Sequence, residues 1–230
     1  MTRTTVQRDN EAAARRAADV MANQINDART RGTDVHIAVA GGSTPRRAYE
    51  LLAKMQGTWA HVHLWLGDER CVPADHPDAN QRMIDESLIS ALRSGERPHL
   101  HPVRGELQPE DAAWLYASEI VRAMGEKPMF DFVLLGLGED GHTASLFPGD
   151  PAALCEHAPV LPIRGAPKPP PERITLSLPV IRQARFTLLL ATGEGKREAL
   201  ARVRAGDPDV PAGRLGDAID EIVCDEAANQ

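Results

Sequence analysis

Four short stretches of the chain concentrate the residue types that perform chemistry: GGSTP (Gly41 to Pro45), GDER (Gly67 to Arg70), GLGEDGH (Gly136 to His142) and TGEGK (Thr192 to Lys196). Among their side chains His142 is the sharpest candidate. It ends a glycine loop two residues after Asp140. An imidazole takes up a proton near neutral pH, and a positioned general base accelerates a reaction about 10²–10⁴-fold, or roughly 3–5 kcal/mol of barrier. GGSTP suits a phosphate monoester. Its bare glycines let backbone N–H groups approach an anion, Ser43 and Thr44 add hydroxyls, and Pro45 fits the first turn of a helix whose N-terminus favours negative charge. Taken alone, that motif hardly differs from an ordinary strand-to-helix cap. It also lacks the GxSxG spacing of a serine nucleophile elbow.

Two other patterns invite chemistry and are set aside. GLGEDG (Gly136 to Gly141) matches GxGxxG, but a dinucleotide turn needs a helix to start at once. Here the chain runs through HTASLFPGDP and meets Pro148 within a few residues. His61 and His63 alternate on one stretch, and His99 and His101 on another. Neither pair has a third ligand in its own segment, so chance is the expected explanation and no metal site is expected.

The reactive stretches follow apolar runs. VHIAVA starts at Val35, VHLWLG at Val62, FDFVLLG at Phe130 and RFTLLLATG at Arg185. All four are strand-length, nearly continuous in apolar character and bounded by glycine, as strands covered on both faces are. Helical patterns alternate with them: EAAARRAADVMANQI capped by Asp9 or Asn10, PRRAYELLAKM, the stretch from Asn80 to Leu92, and PEDAAWLYASEIVRAM. The fold class expected is α/β, a doubly wound, mainly parallel sheet with helices on both faces, in one domain spanning 1–230. In such a sheet the strand ends converge on one side, where ligands bind. The proline-rich segment from Ala166 to Arg173 reads as an extended rim loop, because only one sheet's worth of strands is apparent.

Composition narrows the partner. The net charge is -7 without a basic block, which disfavours nucleic acid or a membrane surface. An anionic substrate then needs a local cationic pocket. Only four of the 26 basic residues are lysines, and one of them is Lys196. The three cysteines (Cys71, Cys155, Cys224) are odd in number and far apart, so they read as reduced thiols. The N-terminal stretch lacks an apolar core and no run is long enough to span a bilayer, so a cytoplasmic setting is expected.

Taken together, GGSTP, GDERCVPADHPDAN, GLGEDGHTASLFPG, KPPPERITLS and TGEGKREAL resemble the 6-phosphogluconolactonase family, in the right order from about Val35 to Ala199. The resemblance implies hydrolysis of 6-phospho-D-glucono-1,5-lactone to 6-phosphogluconate, in the oxidative pentose phosphate pathway, without cofactor or metal. It implies His142 as the base, with Asp140 orienting or polarising it. Arg70 would stabilise charge on the carbonyl oxygen or hold phosphate, and Asp68 would contact sugar hydroxyls or water. Gly42, Ser43, Thr44, Arg173 and Lys196 would form the phosphate pocket. Ala79 stands where the family usually has serine, leaving Asn80 as the contact. A strained lactone is already electrophilic, so no covalent nucleophile is required. The expected partner is this small molecule, with no nucleic acid or membrane, and the chain is expected to be a monomer. The tail after Arg214 is assigned no role in the site. One rival is a glucosamine-6-phosphate deaminase. That family places a glutamate five residues after the histidine, and here the position is Phe147. The other rival is a non-catalytic sugar-phosphate sensor, which would keep the phosphate loop yet could lose His142 and Asp140.

Overall fold

The computed structural model describes residues 2–55 and 57–230. In chain order the elements are β1 (Arg3–Gln7), α1 (Asn10–Arg29), β2 (Val35–Val39), α2 (Ser43–Met55), β3 (Val62–Leu66), β4 (Asp68–Arg70), α3 (Asn80–Ser87), β5 (His99–Leu100) and α4 (Pro109–Met124). They continue with β6 (Phe132–Gly136), β7 (Val160–Ile163), β8 (Arg173–Leu176), α5 (Leu178–Arg182), β9 (Thr187–Ala191), α6 (Arg197–Arg204), β10 (Glu221–Asp225) and α7 (Glu226–Asn229).

Local chemistry explains the main helices. Asp9 caps α1 by accepting the Ala12 N–H at 2.8 Å. Its alanine-rich face, including Ala13, Ala14, Ala17 and Ala18, is fully buried, and these small side chains let the helix lie close to its neighbours. Pro109 opens α4, where its missing N–H costs nothing, and Gly125 closes it with a positive φ of 84°.

Seven strands form one sheet in the order β1-β10-β9-β6-β2-β3-β5, and every pairing in it is parallel. Helices cover both faces, which is why β6 and β9 are apolar almost throughout. A fully buried leucine or valine contributes roughly 1.5–3 kcal/mol, and this sheet is built from them. The doubly wound α/β expectation holds.

The expectation of a single sheet does not. A second, antiparallel sheet, β4-β8-β7, stands beside the first. GDER, expected as a loop, forms β4, and Arg173 begins β8. The alternation rule missed them because three or four residues are too short to show a period. Gly67 joins the sheets: its N–H donates to Val39 O at 2.9 Å, and its carbonyl accepts the Leu176 N–H at 2.8 Å. Residues of both sheets share one hydrophobic core. The polar N-terminus supplies edge strand β1, and the tail supplies β10 between β1 and β9. Among the described residues no helix is long and apolar enough to cross a membrane.

Candidate active site

The strand order reverses direction between β2 and β6. From β2 the chain steps outward to β3 and β5, then returns to β6 on the other side of β2 and proceeds to β9 and β10. A crevice opens where neighbouring strand ends send their connections to opposite faces. The Gly41-Gly42 loop and the Gly136–Gly138 loop line it. The cavity there is about 190 Å³ and holds Asp68, Arg70, Asn80, His142 and Arg173. It adjoins a second cavity of about 310 Å³ that shares the two glycine loops and adds Ser43, Thr44, Thr192, Lys196 and Asp225. All four reactive stretches therefore meet at one place.

Buried tyrosines fix the walls. Tyr49 of α2 donates its hydroxyl to Ala40 O at 2.7 Å and accepts the Ala40 N–H at 3.0 Å, locking the end of β2. Tyr116 of α4 does the same for β3, accepting the Leu66 N–H at 2.6 Å. Glu69 accepts N–H bonds from Arg70, Asn80 and Gln81 at 2.7, 2.8 and 2.7 Å. Burial pushes its carboxyl up to about 7 despite those three donors. Two glycines are required by close approach. A Cβ on Gly138 would lie 2.0 Å from His142 Nδ1, and one on Gly41 would lie 2.1 Å from Asn80 Oδ1.

His142 and Asp140 form the expected pair. The ring Nδ1 lies 2.5 Å from Asp140 Oδ1, and the same oxygen accepts the His142 backbone N–H at 3.1 Å. Burial alone would raise the Asp140 carboxyl, but the His142 N–H and ring outweigh it and hold it below its usual value. An ionised Asp140 accepts a hydrogen bond from Nδ1–H, which keeps the proton on Nδ1 and leaves Nε2 as the lone-pair nitrogen. Phe147 backs the imidazole, with ring centroids 4.8 Å apart.

Arg70 and Arg173 face each other across the β4–β8 ladder. Like charges placed directly opposite repel, and a bound anion would relieve that. Arg173 is held rigidly, donating to Pro170 O at 3.0 Å, Lys168 O at 2.7 Å and Ser145 Oγ at 3.3 Å. Burial, with Arg70 adding to it, pushes its guanidinium down, while Asp68 pulls it up. Arg70 donates to Asp78 O, but its buried Nε has no hydrogen-bond partner in the protein.

Asp68 and Asn80 line the cavity, yet their polar atoms are largely engaged inside the protein. Ser145 Oγ donates to Asp68 Oδ2 at 2.5 Å, and Asn80 Nδ2 donates to Asp68 O at 2.9 Å. On the other side Ser43 and Thr44 begin α2 facing Lys196, and Thr44 Oγ1 lies 2.8 Å from Thr192 Oγ1. Burial pushes the Lys196 ammonium down and Lys168 adds to this, against Glu139 and Asp140.

Some residues escaped sequence reading. Ser145, Thr192 and Glu69 sit inside recognised stretches, but only the fold reveals their bonds. The tail is not remote from the site, because Asp225 lines the Lys196 cavity and accepts the Gly193 N–H at 3.0 Å. No α-helix starts directly after Gly141, consistent with setting aside the dinucleotide turn. Against expectation, the His99–His101 pair does find a third partner: parallel pairing brings His63 beside it at the opposite end of the sheet, while His61 stays outside the group.

Residues 8–223 match the model of the glucosamine-6-phosphate isomerases/6-phosphogluconolactonase family. The chain belongs to that family. It is 38% identical over 178 residues to a 6-phosphogluconolactonase of Synechocystis sp., covering 75% of this chain and 72% of that protein. It is also 35% identical over 228 residues to a 6-phosphogluconolactonase of Streptomyces coelicolor, covering 92% and 86%. Among solved structures, 6-phosphogluconolactonase from Trypanosoma brucei superposes with a TM-score of 0.87 at 27% identity, over 99% of this chain and 97% of that one. A monomeric glucosamine-6-phosphate deaminase shares the fold at 21% identity, with a TM-score of 0.80 over 99% and 98%.

Proposed function

We propose that this chain hydrolyses 6-phospho-D-glucono-1,5-lactone to 6-phosphogluconate, with His142 as general base. The observation that carries the reading is the oriented His142–Asp140 pair at the switch point, opposite two facing arginines and beside a lysine-lined cavity. Gly42, Ser43, Thr44 and Lys196, with the α2 N-terminus, hold the phosphate. The lactone carbonyl then lies toward Arg70, whose guanidinium lines the cavity and donates to the developing oxyanion. Arg173 supports the same charge from across the ladder. Asp68 and Asn80 form the wall that meets the sugar hydroxyls.

In the reaction His142 Nε2 removes a proton from water as the water oxygen bonds to the carbonyl carbon. The tetrahedral oxyanion collapses, the ring C–O bond breaks, and the imidazolium returns the proton to the departing alkoxide. Asp140 steadies the imidazolium throughout. The carboxylic acid product loses its proton to solvent. No metal or cofactor enters this scheme.

The shared core supports a single hydrolase domain over 1–230. The three free thiols suit a cytoplasmic setting and the pentose phosphate pathway. Phe147, buried against His142, argues against deaminase chemistry, since it leaves an apolar ring where that reaction places a carboxylate.

The decisive assay follows lactone loss with purified chain and with His142→Ala. The wild type should far exceed spontaneous hydrolysis, and the variant should lose most of that excess while still binding 6-phosphogluconate. A wild type no faster than buffer would sink the activity, and a fully active variant would sink the assigned base.

A further inference from the structure

Four histidines line one end of the sheet, away from the cleft. In the parallel registers His36 pairs with His63 and His63 pairs with His99. His101 follows His99 by two residues and so returns to the same face. Side-chain ring nitrogens of His63, His99 and His101 all lie within 4.8 Å of one another. At roughly 3.3 Å per strand residue, His63 is on the order of 16 Å along the chain from Asp68 in the cleft.

From this arrangement we infer that His63, His99 and His101 form a three-imidazole site for a divalent transition metal such as zinc, separate from the catalytic cleft. Imidazole nitrogens suit zinc, and three of them with a water complete a tetrahedron. The rings are held in the orientation that such a site needs. Glu119 of α4 lies 2.6 Å from His101 Nδ1, so it accepts the Nδ1–H hydrogen bond and leaves Nε2 as the ligand atom. His63 is arranged likewise, with Nε2 3.6 Å from Asp34 Oδ2 and Nδ1 2.9 Å from His101 Nε2. A carboxylate behind a ligating imidazole fixes the tautomer and raises its basicity. Nitrogens on one zinc at 2.0–2.1 Å stand about 3.3 Å apart in tetrahedral geometry, so a slight opening of the 2.9 Å gap seats the ion. Trp65 keeps His101 in place by stacking flat on it, with centroids 3.5 Å apart and planes at 4°. His99 is exposed and leaves a route from solvent.

A bound ion would clip edge strand β5, only two residues long, to β3. Through Glu119 it would also couple that edge to α4. The site therefore favours the folded chain by mass action.

The test titrates zinc chloride into the full, tag-free, chelator-stripped chain by calorimetry, with cobalt absorption as a second readout of nitrogen ligation. We expect one zinc per chain and a rise in melting temperature on binding. His99→Ala should weaken binding at least tenfold, and Glu119→Gln about 10–100-fold. His61→Ala, an exposed neighbour that touches Asp34, should bind like wild type. His142→Ala should too, which separates this site from the cleft. Absence of stoichiometric binding, equal binding by His99→Ala, or loss of binding in His142→Ala would each overturn the inference.

Discussion

The two ends of the parallel sheet carry similar chemistry to different purposes. At the C-terminal ends of β2, β3, β6 and β9, loops bring one imidazole, two guanidiniums, an ammonium and carboxylates around an open crevice. Near the N-terminal ends of β2, β3 and β5, four imidazoles lie against one another at varied tilts, and His101 stacks on His63 and on Trp65. In the crevice His142 lines the cavity with its Nδ1 against the Asp140 carboxylate. In the histidine row the rings face each other, and burial with neighbouring imidazoles pushes His36 down to about 4, although Asp131 and Asp34 pull it up. A ring becomes a base when its partner is a carboxylate and its far nitrogen is free. It becomes a ligand candidate when several free nitrogens converge.

The largest break in this comparison comes at the cleft. His142→Ala should lower kcat by about 10²–10⁴-fold, measured by lactone hydrolysis. Asp140→Asn should come next, lowering kcat at least ~10-fold with little change in KM, because an amide no longer fixes the tautomer. Lys196→Ala should act mainly on KM. A charge-assisted hydrogen bond contributes about 1.5–3 kcal/mol, so KM should rise roughly tenfold or more, and an unchanged KM would remove Lys196 from the phosphate site. Glu69→Gln should instead destabilise by about 1–3 kcal/mol, since one of three buried N–H donors loses its acceptor; urea unfolding measures this. The folded carboxyl is raised to about 7, so its contribution is full below the unfolded value near 4.5 and fades as pH rises through 7. The stability gap between wild type and Glu69→Gln should narrow over that window. Smallest of all, His99→Ala should leave lactonase kcat within about twofold, because the two ends share no side chain.

The sequence was legible where a single segment carries its own signal. Apolar runs ending in glycine marked β2, β3, β6 and β9, and the reactive stretches after them marked the cleft. Asp9 or Asn10 announced α1, and the pattern PEDAAWLYASEIVRAM marked α4. Illegible were features whose meaning lies in pairing. The small sheet was hidden because DER and RITL are too short to show a period, and β1 and β10 because polar or terminal strands lack an apolar run. Asn80, expected as a ligand contact, lines the cavity, and only the fold shows that it also bonds the Asp68 carbonyl at the start of β4.

By itself, then, the chain determined the α/β class and singled out the candidate base and cationic side chains, because each rests on residue type and near-neighbour order. Only the tertiary structure decided that Arg70 opposes Arg173, that Glu69 anchors three amides, and that His63 meets His99 and His101. Those facts depend on strand register and on which strand lies beside which. Register is set by long-range packing, which no single stretch of sequence encodes.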